Sequence, residues 1–461
     1  MDATARFSLL AVFATAMTVC LSAAAAEATK MTEAEGYGPN PRLPPPEKSL
    51  IPTVKVAPAA PWQGNQMPTA AAGLAVSPYA CELDHPRWLY VLPNGDVLVA
   101  ETNGPERPED DKGIKAWFQN KAMEKAGAAA PSANRITLLR DANGDGQPEV
   151  RTAFIEGLNS PFGMALVDRN FYVANTDAVL RFNYENGSTG IKQQGVKIAD
   201  LPGGPLNHHW TKNLLASPKG DKLYATSGSN SNVAENGIDV EERRAAILEI
   251  DLRTGASRVF ASGLRNPNGM DWEPQSGVLW TVVNERDELG PDLVPDYLTS
   301  VREGGFYGWP YSYFGQHVDE RVKPARPDLV AKAIVPDYAL GSHTAALGLV
   351  FYKADLLPQQ YRGGAFIGQH GSWNRDPRSG YKVIFVPFAN GKPAGLPQDV
   401  LTGFLNAEGE ARGRPVGVAV GRDGALLVAD DVGNCIWRVT PAGSGQLSRA
   451  ADASADATTE R

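Results

Sequence analysis

The sequence predicts an all-β chain: a six-bladed β-propeller of four-stranded antiparallel blades with a short helical insertion. One pattern carries most of this expectation, a Gly- or Asp-containing turn followed by a short β-branched or aromatic strand and a polar loop. It occurs as LPNGDVLVAET from Leu92, MALVDRNFYVANT from Met164 and LASPKGDKLYATSGS from Leu215. It returns as MDWEPQSGVLWTVVNERD from Met270, GLVFYKADLLPQQYRGGAFIGQH from Gly348 and VAVGRDGALLVADDVGN from Val418. Copies roughly 50 to 85 residues apart are too widely spaced for one sandwich and suit blades repeated around an axis. Helical periodicity is scarce. Its clearest instance is IKAWFQNKAMEKAG, residues 114–127, expected as a helix inserted in the first blade.

The flanks read differently. Arg6, the apolar stretch from Phe7 to Ala23 and the run Ala24-Ala25-Ala26 have the form of an export signal cleaved after Ala26, over residues 1–26. A membrane anchor is the alternative, and no later segment is long and apolar enough to span a bilayer. Residues 27–80 are Pro- and Ala-rich and read as an N-terminal arm, residues 81–445 as the propeller, and residues 446–461 as a small, polar tail. The expected location is the periplasm or the exterior. Cys20 leaves with the signal, so Cys81 and Cys435 are the pair of the mature chain, one before the first copy and one after the last. A bridge between them would clamp the ring shut; two free thiols are the alternative.

At 461 residues, 43% hydrophobic, the chain can bury a large core. A net charge of −8 without a Lys/Arg run argues against a nucleic-acid partner. No Cys-x-x-Cys-His is present, so haem is not covalently attached.

Polar clusters stand in the loops beside the repeated strands, where a propeller gathers side chains around its channel. PLNHHWTKNL offers His208 and His209, either of which as neutral imidazole could take a hydroxyl proton near pH 7, or serve structurally. GLRNPNGM offers Arg265 and Asn266, a guanidinium beside an amide, suited to an oxygen gaining negative charge or to pinning a turn. IGQHGSWNRDPRSGYK carries His370, Trp373, Asn374, Arg375 and Arg378. Arg412 and Arg414 of ARGRPVGV share a strand face by their spacing of two, where an anion would relieve their repulsion. DANGDGQPE places the oxygens of Asp141, Asn143, Asp145 and Glu149 around Gly146, a possible Ca²⁺ site or a simple Asx turn.

Taken in order, His-His-x-x-x-Asn-Leu, Gly-Leu-Arg-Asn-Pro-x-Gly, Asn-Glu-Arg-Asp, Phe-Tyr-Gly-Trp-Pro-Tyr, Gly-Gln-His-Gly-Ser-Trp-Asn-Arg and Arg-Gly-Arg-Pro resemble the soluble quinoprotein glucose and sorbosone dehydrogenases. The similarity runs from about Leu89 to Pro441 and is closest to the sorbosone-type branch. It implies pyrroloquinoline quinone (PQQ) and Ca²⁺ as cofactors, with a sugar or related alcohol as substrate. With no haem on the chain, an external electron acceptor is also implied, a cytochrome or a quinone.

Counting back from Leu214, the resemblance makes His209 the base, with His208 where the family has an aspartate. It sets Arg265 on the quinone oxygen with Asn266 beside it, and Arg412 and Arg414 on the cofactor. Arg378 falls at a family lysine, with Arg375 competing for that role. The calcium-binding backbone pair, Gly-Pro in the family, aligns with Glu285-Arg286, while Gly290-Pro291 lies just beyond. Leu158 replaces a substrate-side glutamine, which argues against glucose itself. The rival reading is a calcium-dependent propeller lactonase with Asp296, Asp430 and Glu101 as ligands; a third is a propeller that only binds a partner.

Overall fold

The computed structural model describes residues 31–47, 55–106 and 131–443. Six four-stranded antiparallel sheets surround an axis, so the predicted β-propeller is the fold. Blade one is Pro86–Val91, Val97–Glu101, Arg135–Arg140 and Val150–Ile155; blade two is Met164–Val167, Asn170–Ala174, Ala178–Asn183 and Val196–Asp200. Blade three is Leu214–Ala216, Lys222–Ser227, Ala246–Asp251 and Ser257–Ser262. Blade four comprises Asn266–Trp272, Leu279–Asn284, Pro295–Ser300 and Tyr338–Ser342, and blade five Ala346–Phe351, Ala365–Gln369, Lys382–Val386 and Gln398–Thr402. Five of the six sequence copies fall on the first two strands of a blade, and the copy from Leu92 covers the turn and the second strand of blade one.

Blade six takes Pro415–Val420, Leu426–Asp430 and Cys435–Pro441 from the end of the chain and its outer strand, Leu74–Ala80, from the beginning. The stretch read as the end of an arm therefore closes the ring. Its Pro78 obscured the strand in the sequence, since Pro is accepted only where a sheet has a free edge. Cys81 and Cys435 are disulfide-bonded across this seam. The arm supplies two further edge strands, Tyr37–Gly38 on blade four and Thr69–Ala70 on blade five. The expected signal, inserted helix and tail lie outside the described residues.

The six hydrophobic clusters lie between neighbouring blades. Leu98 and Ala100 face blade two while Val97 and Val99 face blade six. A central strand is thus buried on both faces, and its sequence is a continuous apolar run rather than an alternation. Near the axis the blades meet through glycine. A Cβ on Gly163 would lie 2.1 Å from the Leu214 nitrogen, and one on Gly348 2.2 Å from the Val416 carbonyl oxygen. Pro161-Phe-Gly163-Met164, Pro267-Asn-Gly269-Met270 and Pro415-Val-Gly417-Val418 repeat this approach.

Strands alternate in direction, so the connections from second to third strand, and from each fourth strand to the next blade, all emerge on one face. That upper face collects five of the six histidines: His85, His208, His209, His343 and His370.

Candidate active site

On the upper face, His209 lies in the connection from blade two to blade three. Its Nδ1 is 2.7 Å from the Ser229 carbonyl oxygen, which can only accept, so Nδ1 carries the proton and Nε2 keeps its lone pair. Burial, then the nearby Arg265 charge, holds the imidazole well below its usual pKa, hence neutral. The loop is pinned from beneath by Lys212, fully buried, whose Nζ donates to the His209 carbonyl at 3.1 Å. Asn266 meets His209 over Gly228, where a Cβ would fall 2.3 Å from Asn266 Oδ1 and 2.5 Å from His209 Cβ. Asn266 Oδ1 is buried without a hydrogen-bond partner.

Arg265 donates to the Glu285 carbonyl at 2.7 Å and to Asn232 Oδ1 at 3.0 Å, with Asp287 at 3.6 Å. Asp287 also accepts from Asn374 Nδ2 at 2.7 Å and pairs with His343 Nδ1 at 3.2 Å. Burial works to raise the Asp287 carboxyl, but His343 and Arg265 outweigh it and hold it low. For His343, burial opposes the charge and Asp287 overcomes it, so its pKa is raised.

Across the mouth, Asp431 accepts from Arg87 Nη1 at 2.6 Å and pairs with His370 Nε2 at 2.9 Å and His85 Nε2 at 3.6 Å. Burial lowers His370 to about 4. Arg87 also stands over the ring of Trp210, 5.7 Å from its centroid, and links this cluster to the His209 loop. Arg414 lies over Tyr381 at 5.2 Å, and its Nε is buried with no partner.

The structure therefore brings His209, Arg265 and Asn266 together, with Arg414 on the same face. Arg412 stands over Trp62, 6.0 Å from its centroid. Arg375 is committed to Asp292 at 2.7 Å and the Pro291 carbonyl at 3.1 Å, and Arg378 to the carbonyls of Lys55 and Val56. Arg286 is fully buried and clamps the long connection that closes blade four, through the Pro310 and Ser312 carbonyls and Asp319.

Sequence reading did not single out Asp431, His85, Arg87 or His343 as candidates, and it held Asp287 only as part of the Asn-Glu-Arg-Asp motif. The placement of scarce histidines between strands was the available signal.

Three of the four carbonyls in the backbone pairs considered for calcium already accept hydrogen bonds. The Glu285 carbonyl accepts from Arg265, Gly290 from His343 Nε2 at 3.1 Å, and Pro291 from Arg375. Cationic or N–H groups stand where a metal ion would. The Asp141, Asp145 and Glu149 carboxylates do gather within 4.8 Å, but between the third and fourth strands of blade one, hence on the opposite face. There Asp141 caps the Gly144 and Gly146 amides at 2.7 and 2.8 Å, and Asn143 turns to Asp145 at 3.2 Å.

The carboxylates of the lactonase reading are also spent. Asp430 accepts four N–H groups, from Arg414, Gly433, Trp62 and Trp437. Asp296 accepts from Glu285, Thr344 and Ala345, and Glu101 from Arg135, Asp84 and Thr137.

Fold and site define a six-bladed propeller with a histidine- and arginine-lined channel mouth. Residues 70–438 match the family model described as Domain of unknown function (DUF7133), and the chain belongs to that family. It is 31% identical over 292 residues to an uncharacterized protein of Borreliella burgdorferi, covering 61% of this chain and 76% of that one. It is 30% identical over 113 residues to the aldose sugar dehydrogenase YliI of Escherichia coli, 24% of this chain and 29% of that protein. The PQQ domain of pyranose dehydrogenase from Coprinopsis cinerea superposes with a TM-score of 0.65 at 20% identity, covering 84% of this chain and all of that one. Among the described residues no helix is long and apolar enough to cross a membrane.

Proposed function

We propose that this chain is a PQQ-dependent dehydrogenase that oxidises a hydroxyl-bearing carbon of an aldose-type sugar. The observation that carries the reading is His209. It is a neutral imidazole with its proton fixed on Nδ1 and its lone pair on Nε2, beside Asn266 and Arg265 in a mouth lined with arginine.

PQQ bears three carboxylates, and the donor set suits such a group. Arg414 has a buried Nε without a partner, and Arg87 has another. Buried donors left unpaired are costly, and the carboxylates of a polyanionic ligand would accept from them. Asn266 Oδ1 and Asn374 Oδ1, also unpaired, are acceptors and call for a donor such as a substrate hydroxyl. Arg265, Arg414 and Asn266 would hold it, with Arg412 at the rim. When bound, PQQ supplies the two-electron acceptor for the hydride released from the substrate carbon. His209 Nε2 takes the hydroxyl proton of that same carbon. Ser229 keeps the ring oriented by accepting from Nδ1, and Asp287 offsets the charge the imidazole then carries. Arg265 and Asn266 direct a cation and an amide toward developing negative charge. These roles need no calcium, and the carbonyls of Glu285, Gly290 and Pro291 already accept hydrogen bonds.

The names of the relatives favour aldoses and pyranoses; the sorbosone-type branch rests on the sequence motifs alone. Electrons then leave to a separate acceptor, and export to the periplasm or exterior is part of the same reading.

The test is dye reduction by the purified chain with PQQ, with and without Ca²⁺, across aldoses, sorbosone and simple alcohols. PQQ-dependent reduction with one sugar class, lost by 100-fold or more, on the order expected for a general base, in His209→Gln, is the expected result. Absence of PQQ binding together with lactone hydrolysis would overturn it.

A further inference from the structure

The N-terminal arm runs across the upper face and grips the arginines that face the mouth. Ala60 N donates to the Ala411 carbonyl at 2.8 Å and Ala411 N to the Pro58 carbonyl at 2.7 Å, so the arm is tied to the segment just before Arg412. Arg414 Nη2 donates to the carbonyl of Ala57, itself fully buried. Trp62 donates from Nε1 to Asp430 Oδ2 at 2.8 Å, and Asp430 Oδ1 accepts from the Arg414 amide at 2.7 Å. The Trp62 ring meets Phe404 and Trp437 edge-on at 5.7 and 5.4 Å and lies under the Arg412 guanidinium. Gly433 makes room for this indole, since a Cβ there would fall 2.6 Å from it.

We infer that the arm, through Ala57 and Trp62, is a wall of the anion pocket and positions Arg412 and Arg414 for a carboxylate-bearing ligand. The reason is geometric. A flexible arginine binds an anion well only if its guanidinium is already held, because fixing it on binding costs side-chain entropy. Arg414 is held by one arm carbonyl and one aromatic face, which leaves Nε for the ligand. Arg412 has the Trp62 ring as its platform. Trp62 thereby acts as a positioning residue, through the arginines. This inference rests on the PQQ reading for the identity of the ligand, but not for the hold on the arginines.

Two readouts on the full chain separate the two. The first is the rate of phenylglyoxal modification at Arg412 and Arg414, mapped by peptide mass spectrometry. The second is the Kd for PQQ by equilibrium dialysis. Trp62→Ala is expected to speed modification of both arginines and to weaken PQQ about tenfold, the effect of weakening one arginine–carboxylate hydrogen bond once the ring that holds Arg412 is gone. Trp62→Phe, which keeps the ring and loses the N–H, should recover most of that affinity. Leu43→Ala, on the part of the arm packed against blade four, should lower the melting temperature and leave Kd unchanged.

Unchanged modification rates in Trp62→Ala overturn the role of the arm, whatever PQQ does. Faster modification with no PQQ binding even by the wild type keeps the hold on the arginines and overturns the PQQ reading instead. Faster modification with an unchanged Kd overturns the assignment of these arginines to that ligand.

Discussion

The bond between Cys81 and Cys435 closes a loop across a sequence separation of 354 residues, nearly the whole propeller. Because Leu74–Ala80 and Cys435–Pro441 remain paired in the native sheet without it, removing the bond acts mainly on the unfolded chain. The chain-entropy relation for a loop of this length gives about 6 kcal/mol at 25 °C, with native bridges elsewhere contributing about 2–5 kcal/mol. With a melting entropy of about 2.1 cal/mol/K per residue over roughly 370 residues, a loss of 3–6 kcal/mol lowers the melting temperature by about 4–8 °C. The assay is differential scanning calorimetry of the oxidised chain against the Cys81→Ala/Cys435→Ala double variant, with the dithiothreitol-treated wild type alongside. A shift of under about 1 °C would refute the reasoning. It would mean that the unfolded chain stays compact enough for the crosslink to cost it little.

The other expectations concern the channel mouth and its supports. Gly348→Ala drives a methyl group against the Val416 carbonyl and should cost about 3 kcal/mol, read from urea unfolding. His370 is held near 4 in the folded chain against about 6.5 unfolded, so the unfolded state binds the extra proton. Stability should therefore fall as pH drops from 6.5 to 4, by at most about 3 kcal/mol from this group, and His370→Gln should flatten that slope in melts taken across the window. Asp431, held low by His370, His85 and Arg87 against the opposing effect of burial, adds its own loss only below about pH 4, where the unfolded carboxyl is protonated. Prolonged EDTA dialysis should change the Kd for PQQ by less than about threefold, because Arg265, His343 and Arg375 donate to the Glu285, Gly290 and Pro291 carbonyls; a loss of about tenfold or more would restore calcium.

The blades were legible because each inner hairpin is local. A turn with Gly or Asp and a short apolar strand after it are neighbours in sequence, and six such units announce the repeat count without reference to contacts. His209, Arg265 and Asn266 could be picked out as candidates for a related reason: each sits in its own short motif at a strand end. Arg412 and Arg414 could be picked out by type, but they do not share a strand face as their spacing suggested, because both precede the strand Pro415–Val420 and lie over different rings, Trp62 and Tyr381. The outer strand Leu74–Ala80 was not legible. Its partner lies more than 350 residues away in the chain, and nothing in LAVSPYA states which edge it will cover.

Sequence alone thus determined the number of blades, the chemistry collected at strand ends and the two cysteines flanking the repeat, since these depend on residue type and local spacing. Only the tertiary structure decided which groups remain available. Arg286, Arg375 and Arg378 look in sequence like Arg414, yet the first three are consumed by carbonyls and carboxylates brought in from distant segments. Glu101, Asp296 and Asp430 look like metal ligands, yet backbone amides and side chains from other segments have filled their lone pairs. Hydrogen-bonding capacity is finite, and the partners that use it up are chosen by packing across blades, which no local pattern encodes.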